Sequence, residues 1–200
     1  MKDKHIVVDI GAQGFPEGGY GYQNSLTEEI YLFECHPDYY KDLVEKHGKK
    51  HNYYISNVAL SDKKGTADFY MTQKRNCSSL REPNKNCKSL KDRPDITSYK
   101  KTTVKTDTMD NLLGHLSHID NLKLDTQGSE YEILQGGKEI LKRTNNIKVE
   151  VEFEESYIGQ KQAEDIDLLL TGWGFRRTSQ TKNSSVHGDY YYTRIVPYEK

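Results

Sequence analysis

The sequence is poor in cysteine and contains no long apolar run, and each absence excludes a class of protein. The three cysteines, Cys35, Cys77 and Cys87, are odd in number and form no C-x-x-C pair. Neither a disulfide framework nor a four-ligand zinc site is therefore indicated, and free thiols in the reducing cytoplasm are the simpler interpretation. No stretch approaches the roughly 20 apolar residues of a membrane span, and residues 1–10 lead into a predicted strand, unlike a signal peptide.

Net charge is also almost absent, although charged residues are abundant. They make up 30% of the 200 residues, but the net charge is −1. This balance gives the chain no global attraction to nucleic acid or to anionic membranes, so we expect neither partner. The basic stretch 85–101 is interrupted by Asp92 and Asp95, and its pattern predicts a solvated loop.

What the sequence does contain is a regular alternation of strand and helix patterns. Apolar or β-branched runs predict strands at residues 5–10, 29–34, 53–60, 119–125 and 147–153, with helical patterns between them and a final antiparallel pair formed by "FRRTSQ" and "YYYTRIV". Such alternation indicates one α/β domain, in which helices cover both faces of a mostly parallel sheet. Ligands bind beyond the carboxyl ends of the strands in this class.

Two segments depart from this alternation. Residues 65–72 alternate as an edge or antiparallel strand does, and residues 73–101 carry Pro83, Pro94 and many polar residues. Such a long irregular segment predicts a functional lid or a mobile surface.

The first two strands end in residues suited to a nucleoside ligand. "VVDIGAQGF" places Asp9 and Gly11 where the chain leaves the first strand, but it matches neither G-x-G-x-x-G nor a Walker A loop. Glu34 ends the second strand, 23 residues after Gly11, near the spacing at which an acid binds ribose hydroxyls in nucleotide-binding α/β folds. Together these features favour an adenosine-containing ligand.

Six successive blocks resemble one known family. "VVDIGAQGF", "FECHPDYY", "NVALSD", "VKTDTMDNLL", "LKLDTQGSEYEILQGG" and "IKVEVEF" are similar, in order, to blocks of the FkbM family of S-adenosylmethionine-dependent methyltransferases. The resemblance implies a Rossmann-like class I methyltransferase fold, with seven strands of which the last is antiparallel. It also implies S-adenosylmethionine as the cofactor.

The resemblance implies roles for residues that match the family's blocks. The methionine end of the cofactor would be held at the first strand, the ribose at the second, the adenine at the third, and the "CSSL" segment would fold over it. The implied cofactor-binding residues are Asp9, Gly11, Ala12, Gln13, Glu34, Cys35, His36, Asn57, Val58, Ala59, Ser78 and Asp125. The family usually has Asn where this chain has Gln13, and the following "FPEGGYGYQ" is unusually rich in glycine.

Acids at the ends of the fourth and fifth strands suggest the chemistry. A hydroxyl acceptor near pH 7 needs a base or a metal ion to take or polarise its proton. Asp125, at the end of the fourth strand, is the candidate catalytic base. Alternatively, Asp125 binds magnesium or manganese together with Glu150 and Glu152. These two glutamates share one face of the fifth strand, and a strand covered on both faces rarely tolerates unpaired acids.

Other polar residues of this region have simpler interpretations. Ser129 and Glu132 match a capping box that opens a helix, while Glu130 could hold the loop at Gly128. His115 and His118 are more typical of an exposed surface than of a metal site. His187 and Tyr190, around the last turn, are candidates for substrate contact.

The sequence therefore predicts a sugar O-methyltransferase, with a glycan or glycoside acceptor such as a deoxyhexose like rhamnose. The first strand begins near residue 5 with no preceding helix. We accordingly expect residues 1–200 to form one methyltransferase domain, either taken from a longer chain with other catalytic domains or left open to a bulky acceptor. The alternatives are an N- or O-methyltransferase of a small metabolite and a non-catalytic nucleotide-binding module.

Overall fold

The computed structural model describes residues 4–14, 20–23 and 27–195. Within these residues, ten strands form two sheets. The strands are β1 His5–Ile10, β2 Glu28–Phe33, β3 Tyr53–Ser56, β4 Ala59–Leu60, β5 Gly65–Thr72, β6 Tyr99–Asp107, β7 Ile119–Leu124, β8 Thr144–Glu152, β9 Phe175–Lys182 and β10 His187–Arg194. The α-helices are α1 Pro37–His47, α2 Pro94–Thr97, α3 Met109–Leu113, α4 Glu130–Gln135, α5 Lys138–Leu141 and α6 Ala163–Gly172.

The main sheet has seven strands in the order β3-β2-β1-β7-β8-β10-β9. Strands β3, β2, β1, β7 and β8 pair in parallel, whereas β10 is antiparallel to both β8 and β9. This confirms the predicted class I methyltransferase sheet with its last strand reversed. The carboxyl ends of β1, β2, β7 and β8 consequently meet at one edge, where the candidate site lies.

The core follows from strand alternation. Ile6, Val8 and Ile10 lie in the larger apolar cluster with side chains of α3 to α6, whereas Val7 packs with Leu43 of α1 on the other face. Neighbouring residues of a strand point to opposite faces, so the apolar run of β1 is buried on both sides. Helices thus cover both faces of the sheet, as the sequence predicts.

A second, three-stranded sheet was only partly predicted. The predicted strand 53–60 is divided, because β3 ends at Ser56 and the chain then enters β4, which pairs with β6. Strand β5 is antiparallel to β6, which confirms its predicted character. Strand β6 itself was missed, since its alternating Lys and Thr residues carry little apolar signal.

Residues 73–98 form a compact insertion between β5 and β6. They contain a short 3-10 helix, Arg75–Cys77, helix α2, and a small cluster of Cys77, Cys87, Leu90 and Ile96. All three cysteines of the chain are free thiols. The insertion docks on the loop after β8, where Asn84 N donates to the Ser156 carbonyl at 2.8 Å and Pro83 pairs with Tyr157.

No helix among the described residues is both long and apolar enough to cross a membrane.

Candidate active site

A narrow cleft opens at the carboxyl ends of β1 and β2, under the start of the insertion. Its volume is about 550 Å³, part of it open to solvent. Apolar side chains form much of its wall, among them Phe33, Leu60, Phe69 and Leu80. An apolar cleft with a few fixed polar groups is typical of a small-molecule site.

Glu34 supplies the main polar group of this cleft. One carboxylate oxygen accepts a hydrogen bond from Gln13 N at 2.9 Å, and the other accepts from His36 N at 2.7 Å. The side chain is therefore fixed in place, with lone pairs left for a ligand. Burial raises the pKa of Glu34, while the two amide donors oppose that rise.

The structure brings most of the predicted cofactor residues to this cleft. Those that line it are Gly11, Gln13, Glu34, Cys35, His36, Val58, Ala59, Ser78 and Asp125. Asp9, Ala12 and Asn57 do not line it. The Asp9 carboxylate instead lies 2.9 Å from Lys123 Nζ, and Ala12 packs in the apolar cluster beside α1. Residues 15–19, within the glycine-rich stretch, lie outside the described residues.

Gly11 explains how two loops of the site come together. Its φ is +78°, and a Cβ built at this position would lie 1.9 Å from the carbonyl oxygen of Asp125. No other residue type allows β1 and β7 to approach this closely at their carboxyl ends. Gly11 therefore places Asp125 at the floor of the cleft.

A network of acids and one amide extends from Asp125 toward β8. Gln127 Nε2 donates to Asp125 Oδ1 at 3.1 Å and to Glu150 Oε2 at 2.6 Å. Its Oε1 accepts from the Tyr157 hydroxyl at 3.0 Å. Gln127 thereby holds two acids together with a neutral donor, and we call Asp125, Gln127 and Glu150 the carboxylate centre.

The two acids of the carboxylate centre lie in different surroundings. Burial raises the pKa of Glu150 well above its usual value, and the nearby Asp125 raises it further. Asp125 Oδ2 lies 3.6 Å from Lys123 Nζ. Lys123 therefore places a cation beside Asp125.

Glu152 lies one step further along the same strand face. It is buried, and the Ser156 hydroxyl donates to its carboxylate at 3.1 Å. Burial raises the pKa of Glu152 to about 8, although the Ser156 hydrogen bond opposes the rise.

The predicted metal site at Asp125, Glu150 and Glu152 is not supported. Among the described residues, no group of three His, Cys, Asp or Glu side chains is arranged to hold a metal ion. The physical reason is Gln127, because its amide nitrogen lies between Asp125 and Glu150 and satisfies both acids. The described residues therefore give no support for a magnesium or manganese cofactor.

The first turn of α4 is also held differently from the prediction. Ser129 forms no capping hydrogen bond, and Glu132 forms an ion pair with Arg81 of the insertion at 2.7 Å. The predicted capping box is therefore wrong. Glu130 does hold the loop as predicted, accepting from Gly128 N at 2.9 Å and from the Thr126 hydroxyl at 2.9 Å.

Of the two candidate substrate residues, only His187 shares the strand face of Glu150 and Glu152. It is paired with Glu152 across β8 and β10, so both side chains share one face. Tyr190 is opposite Val149 on the other face, and its ring packs against Arg177 at 4.4 Å. The alternation of side chains along a strand thus excludes Tyr190 from the face of Glu150.

His115 and His118 lie away from the cleft. His115 is exposed, and His118 binds Asp120 at 3.1 Å at the amino end of β7. Their predicted assignment to the surface fits this placement.

Several site residues were not found from the sequence. Tyr39, Phe69, Arg75 and Ser129 line the cleft. The Ser129 hydroxyl is buried without a hydrogen-bond partner among the described residues. A buried hydroxyl without a partner needs an explanation, and a ligand in the cleft would supply one. From the sequence, a serine before a helix indicates only a helix cap.

Comparison with known families gives a match that covers most of the chain. A family described as the methyltransferase FkbM domain matches residues 9–177. The chain is also 26% identical over 178 residues to the 2-O-methyltransferase NoeI of Sinorhizobium fredii (strain NBRC 101917 / NGR234). That alignment covers 84% of this chain and 72% of the relative.

Two solved structures of similar fold are a methyltransferase and a pre-rRNA processing protein. The crystal structure of methyltransferase FkbM from Methylobacillus flagellatus KT superposes with a TM-score of 0.54 at 11% identity, covering 95% of this chain and 44% of that one. The fibrillarin pre-rRNA processing protein of Methanococcus jannaschii also gives 0.54, at 12% identity, covering 96% of this chain and 67% of that one. The chain thus spans less than half of the Methylobacillus protein, and these two likenesses show the fold alone.

Proposed function

Because this chain belongs to the FkbM family of methyltransferases, we propose that it transfers the methyl group of S-adenosylmethionine to a sugar hydroxyl of a glycan or glycoside. The observation that carries the choice of an oxygen acceptor is the carboxylate centre, which lies beside the cleft and can receive a hydroxyl proton. The relative's name, a 2-O-methyltransferase, supports the same choice.

The cleft fits the nucleoside part of the cofactor. Glu34 has lone pairs directed to a vicinal diol, and the apolar side chains Phe33 and Leu60 offer surfaces for a purine ring. Ser129 adds an unpaired hydroxyl at the far side of the cleft. S-adenosylmethionine, when bound, supplies a methyl group on a positively charged sulfur.

The carboxylate centre removes the acceptor's proton. The hydroxyl oxygen forms a bond to the methyl carbon as the carbon–sulfur bond breaks, and the hydroxyl proton passes to Asp125. Gln127 holds the two acids in place throughout, so little reorganisation is needed during transfer. Asp125 thus acts as the base, and Glu150 stays bonded to Gln127 beside it.

We would test this proposal first by titration calorimetry with S-adenosylhomocysteine. Glu34→Ala should weaken binding by about 1–3 kcal/mol, the usual loss for hydrogen bonds to a charged group. Asp125→Asn should leave binding close to wild type but abolish transfer of a labelled methyl group to sugar acceptors.

Three results would contradict the proposal in different ways. Absence of S-adenosylhomocysteine binding would show that the cleft is not a nucleoside site. Full methyl transfer by the Asp125→Asn variant would show that Asp125 is not the base. Transfer to small amines or metabolites with none to sugars would replace the acceptor by the small-metabolite alternative.

A further inference from the structure

The insertion is strongly basic in a chain that is otherwise acidic. Residues 73–98 contain seven basic and three acidic residues, a net charge of +4. The whole chain carries −1, so the remaining residues carry −5. The balanced total charge therefore conceals two regions of opposite sign.

The basic region has a fixed position beside the carboxylate centre. The Tyr157 hydroxyl, which contacts Gln127, lies 3.0 Å from the Cys77 carbonyl, and Ser79 donates to the Gln127 carbonyl at 2.7 Å. Asn84 Nδ2 donates to the Glu155 carbonyl at 2.9 Å, just beyond the end of β8. The insertion is thus fixed by contacts at residues 77–79 and at Asn84, so its charged side chains are held near the site.

Some of its basic side chains are used in structural ion pairs and others are not. Arg81 pairs with Glu132, and Arg93 pairs with Asp95 at 2.8 Å. In contrast, Lys85, Lys88 and Lys91 are exposed and form no ion pair with the described residues. Lys85 Nζ lies 5.6 Å from the centre of the Tyr99 ring. A hydrogen bond from Ser89 lowers the pKa of Glu154, and the nearby Lys88 lowers it further. These three lysines follow Asn84, which contacts the loop after β8 at Glu155 and Ser156. We call them the basic rim.

We propose that the acceptor is an anionic sugar, whose negative group binds the basic rim while its hydroxyl faces the carboxylate centre. This inference rests on the proposed sugar O-methylation and specifies its substrate class. An anionic group placed at the centre itself would face Asp125 and two further carboxyl groups, so the negative charge of the acceptor must lie apart from the reactive hydroxyl.

A long nucleic acid fits this arrangement less well. A polyanion needs a continuous basic track along its backbone, whereas the rim is local and the rest of the chain is acidic. A sugar with one carboxylate or phosphate needs only a local site. A uronate and a sugar nucleotide both present an anionic group attached to a sugar, so either could bind the basic rim.

The test compares two anionic probes with a neutral one. Binding of oligogalacturonate, UDP-glucose and dextran would be measured on the protein saturated with S-adenosylhomocysteine, at low and at high salt. The test variant is Lys85→Gln/Lys88→Gln/Lys91→Gln. The matched control is Lys46→Gln/Lys49→Gln/Lys138→Gln, which removes the same charge from exposed positions outside the insertion.

The rim predicts that wild type binds at least one anionic probe and not dextran, and that salt weakens this binding. The test variant should lose about tenfold in affinity, from three exposed charge contacts of modest strength each, while the control stays within about twofold. Preference for oligogalacturonate would identify a carboxylate, and preference for UDP-glucose a phosphate.

Equal binding of dextran, binding of neither anionic probe, or an unaltered test variant would overturn the proposal. So would RNA binding that is tighter than either sugar probe and is lost in the test variant. The proposed function fails separately, because its failure appears as a loss of S-adenosylhomocysteine binding or of methyl transfer to every sugar, neutral ones included.

Discussion

At the scale of single residues, the unusual feature is a pair of acids on a buried strand. Glu150 and Glu152 lie on β8 between apolar neighbours, and an ionised carboxylate in such a place is strongly disfavoured unless it is paired. The protein meets this cost in two ways, since Gln127 donates to Glu150 and Ser156 donates to Glu152. Both acids also hold their protons more tightly than exposed glutamates do.

Glu152 should therefore make the protein less stable as pH rises. Its pKa is 4.5 without the fold and about 8 within it, so the folded state binds the proton more tightly. The resulting stability is present below pH 4.5 and is lost as pH rises through 8. Glu152→Gln, which can still accept from Ser156, should be more stable than wild type at pH 9 by about 2–5 kcal/mol, with little gain at pH 4.5.

Urea denaturation at several pH values would measure this difference. Glu164→Gln on the exposed first turn of α6 is the control, and its effect should vary far less with pH. A gain for Glu152→Gln that is equal at pH 4.5 and pH 9 would mean that the pKa of Glu152 is not raised.

Residue types at strand ends were predictable, but their partners were not. The sequence correctly placed Glu34 and Asp125 at the carboxyl ends of strands, because those positions follow from alternation. It could not show that Asp9 binds Lys123 or that Gln127 lies between two acids. Such contacts depend on which strands are neighbours and on the φ of +60° at Gln127, and neither is written in a local pattern.

At the scale of elements, the insertion is the feature that distinguishes this site. It reaches the carboxylate centre through the Ser79 hydroxyl, which donates to the Gln127 carbonyl, and through Tyr157 of the loop after β8. The Tyr157 hydroxyl lies 3.0 Å from both the Cys77 carbonyl and Gln127 Oε1. The ring is almost fully buried. Tyr157 therefore links the insertion, the loop after β8 and the acid pair.

Tyr157→Phe should loosen the insertion without disrupting the sheet. Loss of the hydroxyl leaves the Cys77 carbonyl without this donor, so we expect a loss of about 1–3 kcal/mol in the free energy of unfolding. Amide hydrogen exchange should accelerate in residues 73–98 more than in β1 or β7. Tyr54→Phe, at an exposed ring, is the matched control. Uniform acceleration across the whole chain would contradict a local role.

The boundaries of elements show where sequence patterns lose their power. The run 53–60 looks like one strand, yet β3 and β4 belong to different sheets, since β4 pairs with β6 across a large sequence separation. Strand β6 is rich in Lys and Thr and is mostly exposed on one face, so hydrophobic periodicity did not reveal it. Tertiary pairing, which a single sequence does not display, decides both cases.

At the scale of the whole molecule, a row of charges crosses the four central strands beneath the site. Asp9 of β1 and Lys123 of β7 are 2.9 Å apart, and Lys148 of β8 and Asp189 of β10 are 3.3 Å apart. Lys123 also lies 3.6 Å from Asp125. The floor of the site is thus tied electrostatically to the middle of the sheet.

Lys123→Met should remove the cation on which two acids depend. Asp9 is 3% exposed, so its charge would be buried without a partner, at a cost of about 3–5 kcal/mol. Burial raises the pKa of Asp9 already in the wild type, and the variant should raise it further. Because a raised acid pKa gives stability that is lost as pH rises, the deficit should be small at pH 4 and full at pH 8.

The double variant Asp9→Asn/Lys123→Met separates charge from packing. It removes both members of the pair, so urea denaturation at pH 8 should show most of the lost stability restored, and its remaining deficit should no longer depend on the ionisation of Asp9. A double variant as unstable as Lys123→Met would show that the lysine stabilises the sheet by packing of its stem. In that case the connection from the sheet to Asp125 would be steric, and the charge row would not set the electrostatics of the site.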